Sequence, residues 1–177
     1  MTHPIMHISA ASAETVYVLG DTVRFRGGLD GTDTVLIEVT VPPGAGVPLH
    51  RHRSPEIFRV LSGTITFSLL SDYGTERSIA AGPGDVVNVP RDVGHGYANR
   101  GATSAEVLVV LDRAMEQFFR DLGSPRPAPA GPPTPEVLAQ VGTVAEKHGI
   151  TFIANSTDED LRGSPSSVNS GLMISNA

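Results

Sequence analysis

Cysteine is absent from the 177-residue sequence, and its absence limits the chemistry that the chain can perform. Without thiols there can be no disulfide, zinc–thiolate site, iron–sulfur cluster or cysteine nucleophile. Any bound metal ion must therefore be held by nitrogen and oxygen ligands. Lysine is nearly absent as well, since Lys147 is the only one. The lack of an earlier lysine disfavours a Schiff-base mechanism and a phosphate-binding sugar isomerase.

Long apolar runs and clusters of positive charge are missing too. No apolar run approaches the length of about 18 residues that a membrane span needs, so none is expected. The N-terminus has no basic region followed by a long apolar stretch, which predicts no secretory signal and a cytoplasmic location. The formal net charge is −6 and no basic run is present, so neither nucleic acid nor membrane is expected as a partner.

The composition that remains is typical of one soluble globular protein, with 40% hydrophobic and 18% charged residues. From residue 15 onward, short β-prone stretches alternate with Gly, Pro and Asp turn signals, which predicts an all-β sandwich or barrel. In the stretch 64–70, apolar and hydroxyl side chains alternate cleanly. The predicted strands are 15–19, 22–26, 34–40, 56–61, 64–70, 77–80, 86–89, 95–98 and 105–111.

Helical signals replace this alternation at residue 112. Asp112 is a suitable N-cap for a first helix. The residues that follow place four apolar side chains on one helical face: Met115, Phe118, Phe119 and Leu122. After a Pro-rich linker, Thr134 as N-cap and Pro135 at the first position predict a second helix that ends before Gly149. Residues 150–153 are expected to add a last short strand or a docking segment.

Two histidines and a glutamate lie close together in the stretch between Gly44 and Gly63, namely His50, His52 and Glu56. On a strand, residues i and i+2 point to the same face, so both imidazoles can reach one point. A hairpin could bring the Glu56 carboxylate to that point, and His95 follows a later strand. Imidazole and carboxylate ligands suit Fe, Ni, Mn, Co, Cu or Zn without selecting among them. Four such ligands on an octahedral ion leave positions open for substrate or dioxygen.

The spacing of these residues resembles that of the cupins. The first cupin motif, G-x5-H-x-H-x3,4-E-x6-G, is matched by Gly44, His50, His52, Glu56 and Gly63. The second motif, G-x5-P-x-G-x2-H-x3-N, is matched by Gly84, Pro90, His95 and Asn99. Asp92 stands where the family has glycine, and since Asp tolerates left-handed backbone, an intact site is still expected.

The resemblance covers about residues 15–111 and implies a double-stranded β-helix, or jelly-roll, barrel. It also implies one divalent transition metal held by His50, His52, Glu56 and His95. The expected organisation is an N-terminal arm at 1–14, the cupin barrel at 15–111, a helical extension at 112–155 and a flexible tail at 156–177. A homodimer through residues 15–26 is a further expectation.

Several residues are expected around the metal. Phe58 and Val60 share strand parity with Glu56, so both are predicted to line a substrate pocket inside the barrel. Tyr97 shares parity with His95 and is a candidate catalytic residue. The face formed by Met115, Phe118 and Phe119 is first of all a packing face, although it could also close the barrel mouth over a small-molecule substrate. Residues expected to lie outside the site, in structural or solvated roles, are His3, His7, Arg51, Arg53 and His148.

The overall order of elements looks like quercetinase-like dioxygenase cupins. The resemblance implies that the metal binds an enolic or phenolic oxygen while dioxygen cleaves the substrate, with Glu56 as both ligand and base. An alternative is a non-redox isomerase, cyclase or decarboxylase for a β-dicarbonyl or polyketide-like compound, in which Glu56 or Tyr97 moves a proton. A non-catalytic cupin that binds a small molecule or metal is the third possibility.

Overall fold

Eleven β-strands and two α-helices are present in residues 5–71, 74–129 and 131–153, the parts of the chain that the computed structural model describes. The strands are β1 (Thr15–Val18), β2 (Asp21–Gly28), β3 (Thr34–Val41), β4 (Gly46–Arg51), β5 (Glu56–Ser62), β6 (Ile65–Leu70), β7 (Glu76–Ala81), β8 (Val86–Val89), β9 (His95–Ala98), β10 (Ala105–Asp112) and β11 (Thr151–Phe152). The helices are α1 (Arg113–Leu122) and α2 (Pro135–Lys147). The predicted tail at 156–177 and His3 lie outside the described residues.

The strands form two antiparallel sheets, one in the order β1-β2-β3-β10-β5-β8 and the other in the order β11-β4-β9-β6-β7. Neighbouring strands come from distant parts of the chain, since β10 pairs with both β3 and β5. This topology confirms the predicted jelly roll. The two sheets stack as a barrel-like sandwich, and no backbone ladder between described strands closes them into a full barrel.

The inward-facing side chains of both sheets fill the space between them. Along β3 every second residue is buried, which is the alternation expected of a strand with one face on a core. Phe58 from the first sheet packs against Phe67 from the second, with ring centroids 5.2 Å apart. Burying such a side chain stabilises the fold by roughly 1.5–3 kcal/mol.

The strand β4 was not among the predicted strands, although it carries His50. Its sequence, GVPLHR, has Pro48 in the middle, and proline cannot donate to a ladder. The structure resolves the conflict with a bulge: Val47 lies opposite Tyr97, whereas His50 lies opposite His95, so β4 has one extra residue. The bulge turns Leu49 and His50 both toward buried surroundings.

Both predicted helices are present with the expected caps. The Asp112 side chain accepts a hydrogen bond from the Met115 N–H, and the Thr134 side chain accepts one from the Val137 N–H. Gly149 follows α2 with a φ of 66°, a left-handed conformation that glycine adopts readily. Neither helix has the length and apolarity that crossing a bilayer would require.

Candidate metal centre

Three buried histidines meet at one point between the two sheets. His50 lies on β4, His95 begins β9, and His52 lies one residue beyond the end of β4. One ring nitrogen from each imidazole lies within 4.8 Å of the others. His52 lies just past β4, so the argument that residues i and i+2 of a strand share a face does not apply to it, although its side chain reaches the same point.

The segments that carry His52 and His95 are joined by a backbone hydrogen bond. The Asp92 N–H donates to the His52 carbonyl oxygen at 2.7 Å. Asp92 has a φ of 64°, in the left-handed region, which confirms that aspartate takes the conformation usually supplied by glycine at this motif position. The departure from the motif therefore leaves the turn before His95 intact.

Backbone carbonyl groups fix the orientation of two of the imidazoles. His50 Nδ1 lies 3.0 Å from the Pro48 carbonyl oxygen, and His95 Nδ1 lies 2.9 Å from the Val93 carbonyl oxygen. A carbonyl oxygen only accepts, so Nδ1 carries the proton in both rings. In the neutral form, each Nε2 then has a free lone pair, which is the state of a metal-ligating histidine.

His52 and Glu56 show that these residues fit a metal ion. His52 is buried, yet neither of its ring nitrogens has a hydrogen-bond partner among the described residues. Glu56 Oε2 lies 3.5 Å from His52 Nε2 and 3.2 Å from His95 Nε2. A lone pair on His95 Nε2 and a carboxylate oxygen are both acceptors, so this contact needs a proton or a cation between them. A metal ion held by the three histidines would satisfy these ring nitrogens, and Glu56 as a fourth ligand stays a prediction.

The protonation states also suit metal binding. Burial, with a smaller effect of the neighbouring His95, lowers the pKa of His50 to about 4, so His50 is neutral at pH 7. Burial alone would raise the pKa of Glu56, but the neighbouring imidazoles of His52 and His95 outweigh burial and lower the pKa to about 2. The site therefore presents a neutral imidazole and an ionised carboxylate at neutral pH.

The loop between His52 and Glu56 is tied to the first helix through a contact that was not predicted. The Ser54 hydroxyl is buried and donates to Asp112 Oδ1 at 2.7 Å, and the same oxygen accepts the Met115 N–H at 2.9 Å. The N-cap signal of Asp112 was visible in the sequence, but its second partner lies 58 residues away.

The residues predicted to line a pocket are packed in the core. Phe58 and Val60 are buried, and Phe58 borders only a small apolar cavity of about 10 Å³. Met115 is buried in the same core, and Phe118 and Phe119 are partly buried against it. These contacts show the packing face that was expected of α1, whereas the role of all five as substrate-pocket residues stays a prediction.

Tyr97 directs its hydroxyl group toward Asp21 on β2. The hydroxyl donates to Asp21 Oδ2 at 2.6 Å, and burial raises the pKa of Tyr97 well above its ordinary value. Burial also raises the pKa of Asp21 to about 6, against the opposing effect of the hydrogen bond from Tyr97. The catalytic role of Tyr97 stays a prediction, and any such role would require this hydrogen bond to break.

Other residues lie where they were expected. Arg51 and Arg53 are exposed, and His7 is exposed on the segment before β1. His148 Nε2 contacts Asp121 Oδ2 at 2.8 Å, which links the end of α2 to α1. Phe152, whose ring centroid lies 6.2 Å from that of His50, was not predicted to lie at the site.

Comparisons with known proteins agree with this geometry. Residues 37–111 match the family model of the cupin domain. Auxin-binding protein 1 of Arabidopsis thaliana is 31% identical over 86 residues, which are 45% of this chain and 42% of that protein. The chain thus spans less than half of that relative, and 32% of a matching germin-like protein from rice, Oryza sativa subsp. japonica.

Solved structures extend the likeness. The polyketide cyclase RemF from Streptomyces resistomycificus is similar with a TM-score of 0.52 and 26% identity, over 62% of this chain and 80% of that chain. An RmlC-like cupin from Shewanella frigidimarina is similar with a TM-score of 0.53 and 19% identity, over 67% of this chain and 99% of that chain. The second likeness concerns the fold alone.

The fold and the site together define a jelly-roll protein with a three-histidine group that could hold a metal ion. More particularly, residues 37–111 match the cupin domain model, which supports the predicted membership of the cupin superfamily. The finer resemblance to quercetinase-like cupins stays a prediction.

Proposed function

We propose that the chain is a metal-dependent cupin enzyme acting on a small enolic, phenolic or polyketide-like compound that chelates the metal. The observation that carries this proposal is the buried Glu56 carboxylate, which lies 3.2 Å from His95 Nε2 and 3.5 Å from His52 Nε2. His50, His52 and His95 would hold the ion, with Glu56 as the fourth ligand. A divalent ion bound there would polarise a carbonyl or enol oxygen.

Glu56 is the residue best placed to move a proton. The carboxylate is ionised at neutral pH, although its lowered pKa makes it a weak base. A divalent ion would lower the pKa of a chelated enol or 1,3-dicarbonyl compound, and Glu56 could then accept its proton. The same proton can then return to a product oxygen or carbon. Because the Tyr97 hydroxyl already donates to Asp21, we assign the proton transfer to Glu56 alone.

Among the reactions open to this site, we favour a non-redox cyclisation or isomerisation of a polyketide-like carbonyl compound. Its support is the 26% identity to a protein described as a polyketide cyclase, of which this chain covers 80%. Such a reaction moves a proton from carbon to Glu56 and onward to oxygen, so it needs no external oxidant. A dioxygenase reaction is the second candidate, because an octahedral ion with these ligands keeps positions open for dioxygen.

Metal content tests the site. Purified wild-type protein is expected to bind about one equivalent of a divalent transition metal, consistent with a single three-histidine centre. His52→Ala should lower that content strongly, whereas the matched variant His148→Ala, which alters a histidine outside the site, should not. Equal metal content in His52→Ala and wild type would contradict the assignment.

Anaerobic assays separate the two reactions. Flavonols and 1,3-diketones are screened for turnover in air and without oxygen. Turnover that continues without oxygen supports the non-redox reaction, and turnover that stops supports the dioxygenase. Glu56→Gln should abolish turnover in either case, and a fully active Glu56→Gln enzyme would refute the role of this carboxylate.

We also propose a homodimer that uses the β1–β2 region. At the outer edge of β1, Tyr17 and Ser124 already exchange two backbone hydrogen bonds of 2.9 Å. The contact between the two subunits would therefore have to use a face of the sheet. Analytical ultracentrifugation of the purified chain distinguishes a dimer from a monomer.

A further inference from the structure

The last described residues of the chain lie beside the strand that carries His50. After Gly149 turns the chain, β11 pairs antiparallel with β4, so that Phe152 lies opposite His50 and Thr151 opposite Arg51. The Ile153 N–H donates to the Leu49 carbonyl oxygen at 2.8 Å and extends this pairing. An edge strand near the last described residues thus flanks the candidate metal centre.

Phe152 projects toward the metal centre. Residues directly opposite on antiparallel strands point to the same side of a sheet, and His50 points toward the other two histidines. The ring centroids of Phe152 and His50 are accordingly 6.2 Å apart. Phe152 nevertheless keeps 41% of its surface exposed. Its ring therefore lies at the rim of the site, with one part beside a candidate ligand and another part facing solvent.

Residues on both sides of β11 fix the position of Phe152. Ile150, two residues earlier, is buried in the core, and Ile153 places its side chain close to Gly94, one residue before His95. At the end of α2, Lys147 Nζ lies 2.7 Å from Asp121 Oδ2 of α1. The ring is thus presented by anchored backbone, which suits a residue that selects among ligands.

We propose that Phe152 is a specificity-determining residue that packs against an aromatic or other planar apolar group of the compound bound at the metal centre. This inference rests on the proposed function, because it places a chelating compound beside His50. An aromatic ring that is half exposed at the rim of a polar site offers a contact that only the apolar part of a ligand would use.

The experiment compares two chelators with the same metal-binding group. Wild-type protein loaded with Co²⁺ is titrated with acetylacetone and with 1-phenyl-1,3-butanedione, and the visible Co²⁺ absorption reports binding. Wild-type protein should bind the phenyl compound more tightly. Phe152→Ala should reduce this preference by about 3- to 10-fold, the size of one aromatic contact, while the acetylacetone affinity stays within about 2-fold.

Two further variants control the comparison. Thr151 lies opposite Arg51, so Thr151→Ala should leave the preference for the phenyl compound unchanged. Phe152→Leu keeps an apolar β-strand residue and should lose part of the preference, so the inference remains testable if Phe152→Ala folds poorly. An unchanged preference in both Phe152 variants overturns the role of Phe152 alone. If neither chelator alters the wild-type spectrum, the proposed function fails, and the role of Phe152 fails with it.

Discussion

Asp112 connects the start of α1 to the loop that carries two candidate metal ligands. Its Oδ1 atom caps α1 by accepting the Met115 N–H at 2.9 Å, and it accepts the Ser54 hydroxyl at 2.7 Å. Ser54 lies between His52 and Glu56, and it is buried. One carboxylate oxygen therefore fixes both the start of a helix and the loop that supplies two candidate metal ligands. Its removal should affect stability and metal affinity together.

The size of the effect follows from the two contacts. Loss of an N-cap costs about 1 kcal/mol. Leaving the buried Ser54 hydroxyl without a partner costs roughly 1–3 kcal/mol more. Asp112→Ala should therefore lower the free energy of unfolding by about 2–4 kcal/mol. Without this hydrogen bond, the loop between His52 and Glu56 must be ordered when metal binds. If that ordering costs about 1 kcal/mol of binding free energy, the metal Kd rises about 5-fold.

The assay measures both quantities on each variant: urea unfolding of the metal-free protein and titration with Co²⁺. Ser54→Ala removes only the loop contact, so it should raise the metal Kd while the cap of α1 survives. Thr134→Ala removes the equivalent cap of α2, which has no contact with the ligand loop, and should lower stability without changing the metal Kd. If Asp112→Ala and Thr134→Ala change the metal Kd equally, the tie between Asp112 and the metal loop is refuted.

Three further outcomes follow from single residues. His52→Ala should remove the rise in melting temperature on adding Co²⁺ while costing the metal-free protein little, because the imidazole has no hydrogen-bond partner among the described residues; a retained rise would contradict this. Asp92→Gly should preserve the left-handed turn, whereas Asp92→Val should cost about 1–2 kcal/mol in urea unfolding, and an equal cost for both would show that φ is not the cause. Burial raises the pKa of Asp21 from 3.8 to about 6, so the folded state holds this proton more tightly and the contribution of Asp21 to stability falls as pH rises through that window. Relative to Asp21→Asn, wild type should lose at most about 3 kcal/mol between pH 4 and 7, and parallel stability curves would refute the shift.

Local patterns were sufficient to predict most of the framework. Nine of the eleven strands followed from alternation and from turn residues, because both signals act within a few positions along the chain. The ligand candidates followed from motif spacing, and the left-handed Asp92 followed from the backbone preference of aspartate. Both helix caps were equally local, since N-cap side chains bond to residues three positions ahead.

Other features depend on contacts that no local pattern encodes. The strand β4 was not predicted because Pro48 weakens the strand signal. The bulge that turns His50 inward arises only from the pairing of β4 with β9. Phe152 lies at the site because it pairs with His50 of β4, about 100 residues earlier in the sequence. The Tyr97 hydroxyl finds Asp21 across 76 residues, which strand parity alone did not indicate. Alternation along a strand shows which face of the sheet a side chain occupies, whereas its hydrogen-bond partner depends on how the two sheets pack.

The surroundings of the metal centre depend on residues outside the region that defines the family. The cupin match ends at residue 111, and the tie from Ser54 is made to the next residue, Asp112. Phe152 reaches His50 from the other end of the helical extension, and Asp121 joins α1 to α2 through Lys147. The extension is therefore linked to the ligand-bearing segments at both of its ends. Since the motif residues are predicted to supply the ligands, selectivity among chelating compounds should depend on this extension, and substitutions there should change which compound binds more than whether metal binds.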